Sequence, residues 1–285
     1  MTVLGYPPHL EPRESRIVTD SKPKRNPPRL TLCSKMFRPT ELAQFTASMP
    51  ARYGLTFGAI AIEQHARTAH LRQGRPVNVG RFTSAGRMGT PLCVVAPDRP
   101  GLLALVSLAF VSCDLDVAAA EVFTRKDMVG KDEAVDLFWV RRQSSQDTSL
   151  LGQRELRQLR ATLTKLLRQS PQELRYSPTA NPNNSTGTGA VVRFLENAAG
   201  NLVILEIETS DRCGLLLGLC RALFEQGIQI IGSRIQVNEG RIYGRFEIVE
   251  ESHRPIALER RRVIKHAVMS AVDNLATETT ERLAG

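Results

Sequence analysis

Two short turns hold the residues that are best suited to chemistry. Residues 98–103 read Asp-Arg-Pro-Gly-Leu-Leu, and residues 211–216 read Asp-Arg-Cys-Gly-Leu-Leu. Each stretch follows an apolar run and precedes a segment with helical periodicity, so each glycine falls where a helix begins. The first N–H groups of a helix lack partners within it and carry a partial positive charge that stabilises an anion. Glycine lets a ligand approach the backbone, and aspartate can accept a bond from an ammonium group. The turns therefore predict binding of a small molecule with both charges, such as an amino acid.

The predicted ligand contacts extend to the short turns that follow the two helices. Asp116 and Gln229 can contact a ligand side chain or can be solvated turn residues. Arg99 and Arg212 can meet the ligand carboxylate or can point to solvent. The candidate residues are Asp98, Arg99, Gly101, Leu102, Leu103 and Asp116 in the first copy, and Asp211, Arg212, Gly214, Leu215, Leu216 and Gln229 in the second.

An explanation without a ligand exists for the same turns. Aspartate before a helix is an ordinary N-cap that stabilises the helix by about 1 kcal/mol. Glycine there can serve tight packing alone. The second copy also has Cys213 where the first has Pro100, which frees φ and restores an N–H group.

The two turns belong to a duplicated unit. The similarity continues without a gap at an offset of 113 residues, so that Phe110 aligns with Leu223 and Val122 with Ile235. Each unit reads as strand, helix, strand, strand, helix, and a further short strand is predicted at residues 191–195. The resulting prediction is an α+β fold of two ferredoxin-like βαββαβ units in tandem, each with its helices on one side of the sheet. The second unit lacks an obvious closing strand and can borrow residues 191–195 or a partner's strand.

Composition divides the chain around the two units. The first 37 residues are rich in proline and charge, which predicts a disordered basic tail. Residues 40–72 show a helical pattern, and residues 74–89 read as a linker. The predicted segments are a tail at 1–37, a helical segment and linker at 38–89, the first unit at 90–169, a flexible linker at 170–189 and the second unit at 190–285.

The Asp-Arg-Pro-Gly-Leu-Leu turn in such a unit resembles the ACT domain family. Two units with this spacing are similar to the C-terminal part of the bifunctional uridylyltransferase/uridylyl-removing enzymes that modify the nitrogen-regulatory protein PII. Residues 45–53 with His65, and residues 196–212, support this narrower resemblance, which covers about residues 37–275. It implies that an amino acid, with glutamine as a candidate, binds at an interface between ACT units. It also implies a nitrogen-regulatory protein as a candidate partner.

The sequence shows no catalytic constellation of that family. These 285 residues contain no Gly-Ser or Gly-Gly followed by paired metal-binding aspartates and no His-Asp dipeptide. The expectation is therefore a regulatory chain rather than an enzyme, with no cofactor and no metal. The rival interpretations are a detached fragment that works with separate uridylyltransferase chains and a ligand-free assembly module.

Charge, cysteine content and hydropathy predict the class of partner, the redox state of the thiols and the cellular location. The whole excess of nine positive charges lies in residues 1–90, and residues 91–285 are balanced, so nucleic-acid binding is not expected from the folded part. Five cysteines without a C-x-x-C motif fit reduced thiols. No apolar run is long enough to span a membrane and no signal peptide is evident, which predicts a cytoplasmic protein.

The first helix of the first unit is apolar all round, from Leu102 to Val111, although one apolar stripe suffices to cover a sheet. A second surface must cover it. The prediction is that the two units pair within the chain or that the chain forms a homodimer.

Overall fold

The computed structural model describes residues 38–143, 148–169, 189–196 and 202–284, with side chains to residue 274. The predicted tail at 1–37 and nearly all of the predicted linker at 170–189 lie outside the described residues.

Three short helices precede the sheet, as the helical pattern over residues 40–72 predicts. They are α1 (Pro39–Ser48), α2 (Ala51–Thr56) and α3 (Ala59–His70). Pro50 and Gly58 stand in extended conformation at the N-caps of α2 and α3, and they separate the three helices. Phe45, Tyr53 and His65 are buried on the inner side of this group.

One eight-stranded antiparallel sheet forms the centre of the described chain. Its strand order is β1-β2-β4-β3-β7-β8-β6-β5. The strands are β1 (Asn78–Arg81), β2 (Thr90–Pro97), β3 (Leu115–Lys126), β4 (Asp132–Arg142), β5 (Val191–Glu196), β6 (Val203–Ser210), β7 (Ile228–Asn238) and β8 (Arg241–Glu250). The fold is therefore a mixed α and β structure.

The sheet has two related halves, residues 78–168 and residues 191–284. They meet at the seam, where β3 pairs with β7 in the register Ala119↔Gln236 to Phe123↔Gly232. The two predicted units thus pair within the chain. The seam turns the two central strands, which would otherwise be edges with unpaired backbone groups, into interior strands.

In each half, the edge strand precedes the other strands and helices in the chain and does not follow them. β5 pairs with β6, so residues 191–196 close the second half, and β1 holds the same place beside β2 in the first. The predicted chain order βαββαβ is wrong in this respect, since the order in each half is ββαββα. The predicted linker at 74–89 contains β1, which a four-residue strand in a glycine-rich stretch does not reveal.

Four helices of the two halves pack against the sheet, as the leucine spacing predicts, and most of their buried residues join one core cluster. α4 (Leu102–Ser112) and α5 (Gln153–Arg168) belong to the first half, and α6 (Leu215–Glu225) and α7 (Leu258–Ala284) to the second. α4 contacts both α5 and α6, which explains why it is apolar all round.

The opposite face of the first half is covered as well. Tyr53 and Phe45 from the N-terminal helices join Phe123, Val135 and Trp139 in a second core cluster. The helices α1–α3, which precede the first unit, thus cover the face of the sheet that α4 and α5 leave open. The sequence pattern did not show where residues 38–72 pack.

Candidate ligand site at the seam

Each predicted glycine stands at the start of a helix, and the glycine itself has a left-handed backbone conformation. Gly101 has φ +76° and Gly214 has φ +74°, and they are the N-caps of α4 and α6. Glycine is needed there because other residues pay about 1–2 kcal/mol to adopt this conformation. The Leu102 N–H donates to the Arg99 carbonyl, and the Leu215 N–H to the Arg212 carbonyl. The turns therefore use one amide of each helix start, and the amides that follow have no partner within the helix.

A small cavity lies beside the Gly101 turn and is lined from both halves. The first half contributes Asp98 and Asp136, and the second half contributes Phe224 and Gln229. The cavity measures about 20 Å³, which is room for one group the size of a water molecule. The ring of Phe224 closes it from the side of α6, at 3.0 Å from where a Cβ on Gly101 would stand.

Two polar atoms of this cavity have no hydrogen-bond partner among the described residues. They are Oδ1 of Asp136 and Oε1 of Gln229, on side chains that are 2% and 7% exposed. A buried acceptor without a partner costs about 1–3 kcal/mol, and more when it is charged. The amide oxygen of Gln229 only accepts, and so does the Asp136 carboxylate when it is ionised, so each of the two atoms can take a hydrogen bond from a donor in the cavity.

Two aspartates make the cavity acidic. Burial and the neighbouring carboxylate of Asp98 raise the pKa of Asp136 well above its ordinary value. Burial also raises the pKa of Asp98, although its Oδ2 accepts a bond of 2.7 Å from the Thr124 hydroxyl. Asp98 therefore faces β3 and is not the helix cap that the explanation without a ligand assumes. A cationic donor suits this environment, because it relieves both the missing bonds and the raised pKa values.

The two turn arginines hold the second helix of their own half. Arg99 Nη2 donates to the Leu167 carbonyl at 2.9 Å, and Arg212 Nη1 donates to the Val272 carbonyl at 3.1 Å. Both therefore bind helix backbone in α5 and α7. Arg99 also lines the cavity.

The second turn has a different environment. Asp211 Oδ2 accepts a bond of 2.7 Å from Nη2 of Arg141, and the same nitrogen lies 2.6 Å from Oδ2 of Asp116. Among the described residues that lie outside this turn and its helix backbone, no atom comes within 4 Å of the place where a Cβ on Gly214 would stand. Here the carboxylates are compensated by a cation of the chain itself.

The structure brings predicted residues together at both turns, but each group combines residues from the two halves. Gln229 was assigned to the second turn and lies in the cavity of the first, whereas Asp116 was assigned to the first turn and lies beside Asp211. Sequence reasoning also missed Asp136 and Phe224. The available signal for Asp136 was an acid inside the apolar run of β4.

Other kinds of site find little support in the part of the chain that the structure describes. It holds no group of three His, Cys, Asp or Glu side chains arranged to bind a metal ion. Its four cysteines, among them buried Cys93 and Cys220, form no disulfide. None of its helices is both long and apolar enough to cross a membrane.

Comparison with known proteins supports the resemblance to one enzyme. No family model matches the chain. The chain is 26% identical over 237 residues to the bifunctional uridylyltransferase/uridylyl-removing enzyme of Phenylobacterium zucineum, a match over 82% of this chain and 25% of that enzyme. The enzyme of the same name from Azospirillum brasilense is 27% identical over 64% of this chain and 20% of its own length, and that of Rhodospirillum rubrum is 24% identical over 81% and 25%. The chain thus spans a quarter or less of the curated relatives it matches, and it is similar to one part of the bifunctional uridylyltransferase/uridylyl-removing enzyme.

Proposed function

We propose that the chain is a non-catalytic regulatory protein with two ACT-type units, and that it binds a small amino acid in the seam cavity beside Gly101. The observation that carries this proposal is a pair of buried acceptors, Asp136 Oδ1 and Gln229 Oε1, to which no described residue donates a hydrogen bond. An ammonium group brings three donors and a positive charge. It also matches the size of the cavity, about 20 Å³.

The rest of the ligand lies at the mouth of the cavity. The α4 helix begins there at Gly101 and offers its positive end to a carboxylate. One ligand thereby meets an acidic pocket with its ammonium group and a helix start with its carboxylate. Amino acids have this arrangement of charges, and neutral or purely anionic metabolites do not.

Binding at the seam can act as a signal because the cavity is built from both halves. A ligand that contacts Asp136 of the first half and Gln229 of the second stabilises the arrangement in which they face each other. The likeness to the uridylyltransferase/uridylyl-removing enzymes favours glutamine as the ligand and a role in nitrogen or amino-acid metabolism, with a nitrogen-regulatory protein as the partner.

Calorimetric titration with the twenty standard amino acids tests the proposal. We expect one of them to bind, and Asp136→Asn to weaken its binding at least about tenfold, which corresponds to 1.4 kcal/mol. Asp132→Asn is the matched control, because Asp132 lies on the same strand but is half exposed and pairs with Lys126. Absence of heat from every amino acid, or equal affinity in Asp136→Asn, would reject the site.

A second candidate function is a regulatory subunit for separately encoded uridylyltransferase chains. It is favoured by matches that cover only 20–25% of each relative. Here we expect the chain to associate with the catalytic part of such an enzyme and to change its activity when the amino acid is added. Lack of association in sedimentation experiments, with and without the amino acid, would eliminate this candidate.

A further inference from the structure

The duplication gives the seam cavity a counterpart whose chemistry differs. By the offset of 113 residues, Asp98 corresponds to Asp211 and Gln229 to Asp116. Asp98 and Gln229 line the first site together, and Asp211 and Asp116 meet at the second. The two sites are therefore built from equivalent positions of the fold.

The buried acid of the first site has no counterpart in the second. Asp136 pairs across the sheet with Val122, and the equivalent of Val122 is Ile235, which pairs with Gly244. Gly244 stands where the first site has Asp136, whose Oδ1 has no partner among the described residues.

The second site has a cation that the first lacks. Arg141 pairs with Asp116, and in the other half Val249 pairs with Gln229, so Arg141 and Val249 are equivalent. The Arg141 guanidinium bonds to Asp116 and Asp211, which are the counterparts of Gln229 and Asp98. It bridges the positions that correspond to Gln229, whose Oε1 has no partner among the described residues, and to Asp98, whose carboxylate accepts from Thr124 in the first site.

We propose that the chain binds one ligand and not two, because Arg141 permanently supplies in the second site the positive charge that the ligand ammonium supplies in the first. This inference rests on the proposed amino-acid binding and adds its stoichiometry and the identity of the group that is recognised. A duplicated sensor thereby keeps one site for the metabolite and uses the other as a fixed link across the seam.

The stoichiometry of binding by the full chain is the first test. Titration with L-glutamine, and with the best ligand of the amino-acid panel, should give one ligand per chain, and Asp136→Asn should weaken this single binding at least about tenfold. Two ligands per wild-type chain, or one ligand that Asp136→Asn still binds with wild-type affinity, overturns the inference while leaving amino-acid binding intact. Absence of binding by the wild type overturns both.

Exchange of Arg141 is the second test. Arg141→Val introduces the residue of the equivalent position and exposes Asp116 and Asp211 to solution, so we expect a second ligand to bind and the first to keep its affinity within twofold. Arg141→Lys keeps the charge and should remain at one ligand. A folded Arg141→Val protein that binds only one ligand contradicts the inference. If that variant does not fold, the stoichiometry of the wild type and the affinity of Asp136→Asn still decide.

Discussion

The aromatic ring of Phe224 on α6 lies against Gly101 at the start of α4, 3.0 Å from the place where a Cβ would stand. At Gly214, the equivalent glycine of the second half, no described residue beyond the turn and its helix backbone comes within 4 Å of that place. Both glycines have nearly the same positive φ. Comparison of Gly101 with Gly214 therefore separates two reasons why glycine is needed at such a position, the backbone conformation and the contact across the seam.

Alanine at the two glycines should have unequal effects. Gly214→Ala should lower the free energy of unfolding by about 1–2 kcal/mol, because alanine disfavours the left-handed conformation. Gly101→Ala should lower it by the same amount and by about 1 kcal/mol more, because the new methyl group must displace Phe224. Urea denaturation of both variants measures the difference. Equal losses would show that the ring yields freely, and the cavity could then open without cost.

Asp136→Asn should stabilise the ligand-free chain at neutral pH. The folded state raises the pKa of Asp136 well above its ordinary value of 3.8, so the folded carboxyl keeps its proton while the unfolded one ionises. Wild-type stability therefore falls as pH rises above about 4, by about 1.4 kcal/mol per pH unit until the folded carboxyl ionises. The variant avoids this loss, so its advantage should grow with pH across the same window. Urea denaturation from pH 4 to pH 8 measures it, and Asp132→Asn should run parallel to the wild type.

His65 should give the stability of the chain an opposite dependence on pH. The ring accepts or donates a bond of 2.7 Å with the Tyr53 hydroxyl, and burial lowers the pKa of His65 from 6.5 to about 3. Between these values the unfolded histidine binds a proton and the folded one does not, so stability falls as pH decreases. We expect the wild type to lose about 1.4 kcal/mol per pH unit more than His65→Gln below pH 6. His70→Gln, at an exposed position of the same helix, is the control, and a His65→Gln curve that parallels the wild type would contradict this assignment.

Glu121 should contribute more to the seam than other ion pairs of the sheet. It is fully buried and pairs with Arg87 at 3.1 Å and, across the seam, with Arg234 at 3.0 Å. Glu121→Gln leaves these arginines without their counter-charge and should cost on the order of 3 kcal/mol. Glu206→Gln breaks the pair with Arg245, in which both side chains are one-third exposed or more, and should cost less than about 1 kcal/mol. Thermal unfolding of the two variants compares them, and similar melting temperatures would be inconsistent with a special role for Glu121.

Local patterns predicted most of the elements because their causes are local. The leucine stripe of α5 is buried at Leu156, Leu159 and Leu163, as its spacing indicates. The turn at residues 238–240 joins β7 to β8, with positive φ at both Glu239 and Gly240. In each case the information lies within a few consecutive residues.

Features that depend on distant contacts could not be predicted in the same way. β1 is four residues long and gains its hydrogen bonds from β2, ten or more residues away. Gln229 lies in the first site and Asp116 in the second because the halves join through β3 and β7. The sequence of neither strand indicates which strand it pairs with. Asp136 is the instructive miss, since an acid in an apolar strand is unfavourable unless something compensates it. That local conflict was visible in the sequence and pointed to the site.

A crystal structure of the chain with its best amino-acid ligand tests the central claim most directly. We expect the ligand ammonium in the seam cavity, about 2.7–3.2 Å from Oδ1 of Asp136 and from Oε1 of Gln229, as hydrogen bonds require. Arg141 should remain bonded to Asp116 and Asp211, with no ligand beside it. A ligand bound elsewhere, or an ammonium group that makes no hydrogen bond with Oδ1 of Asp136, would contradict the account.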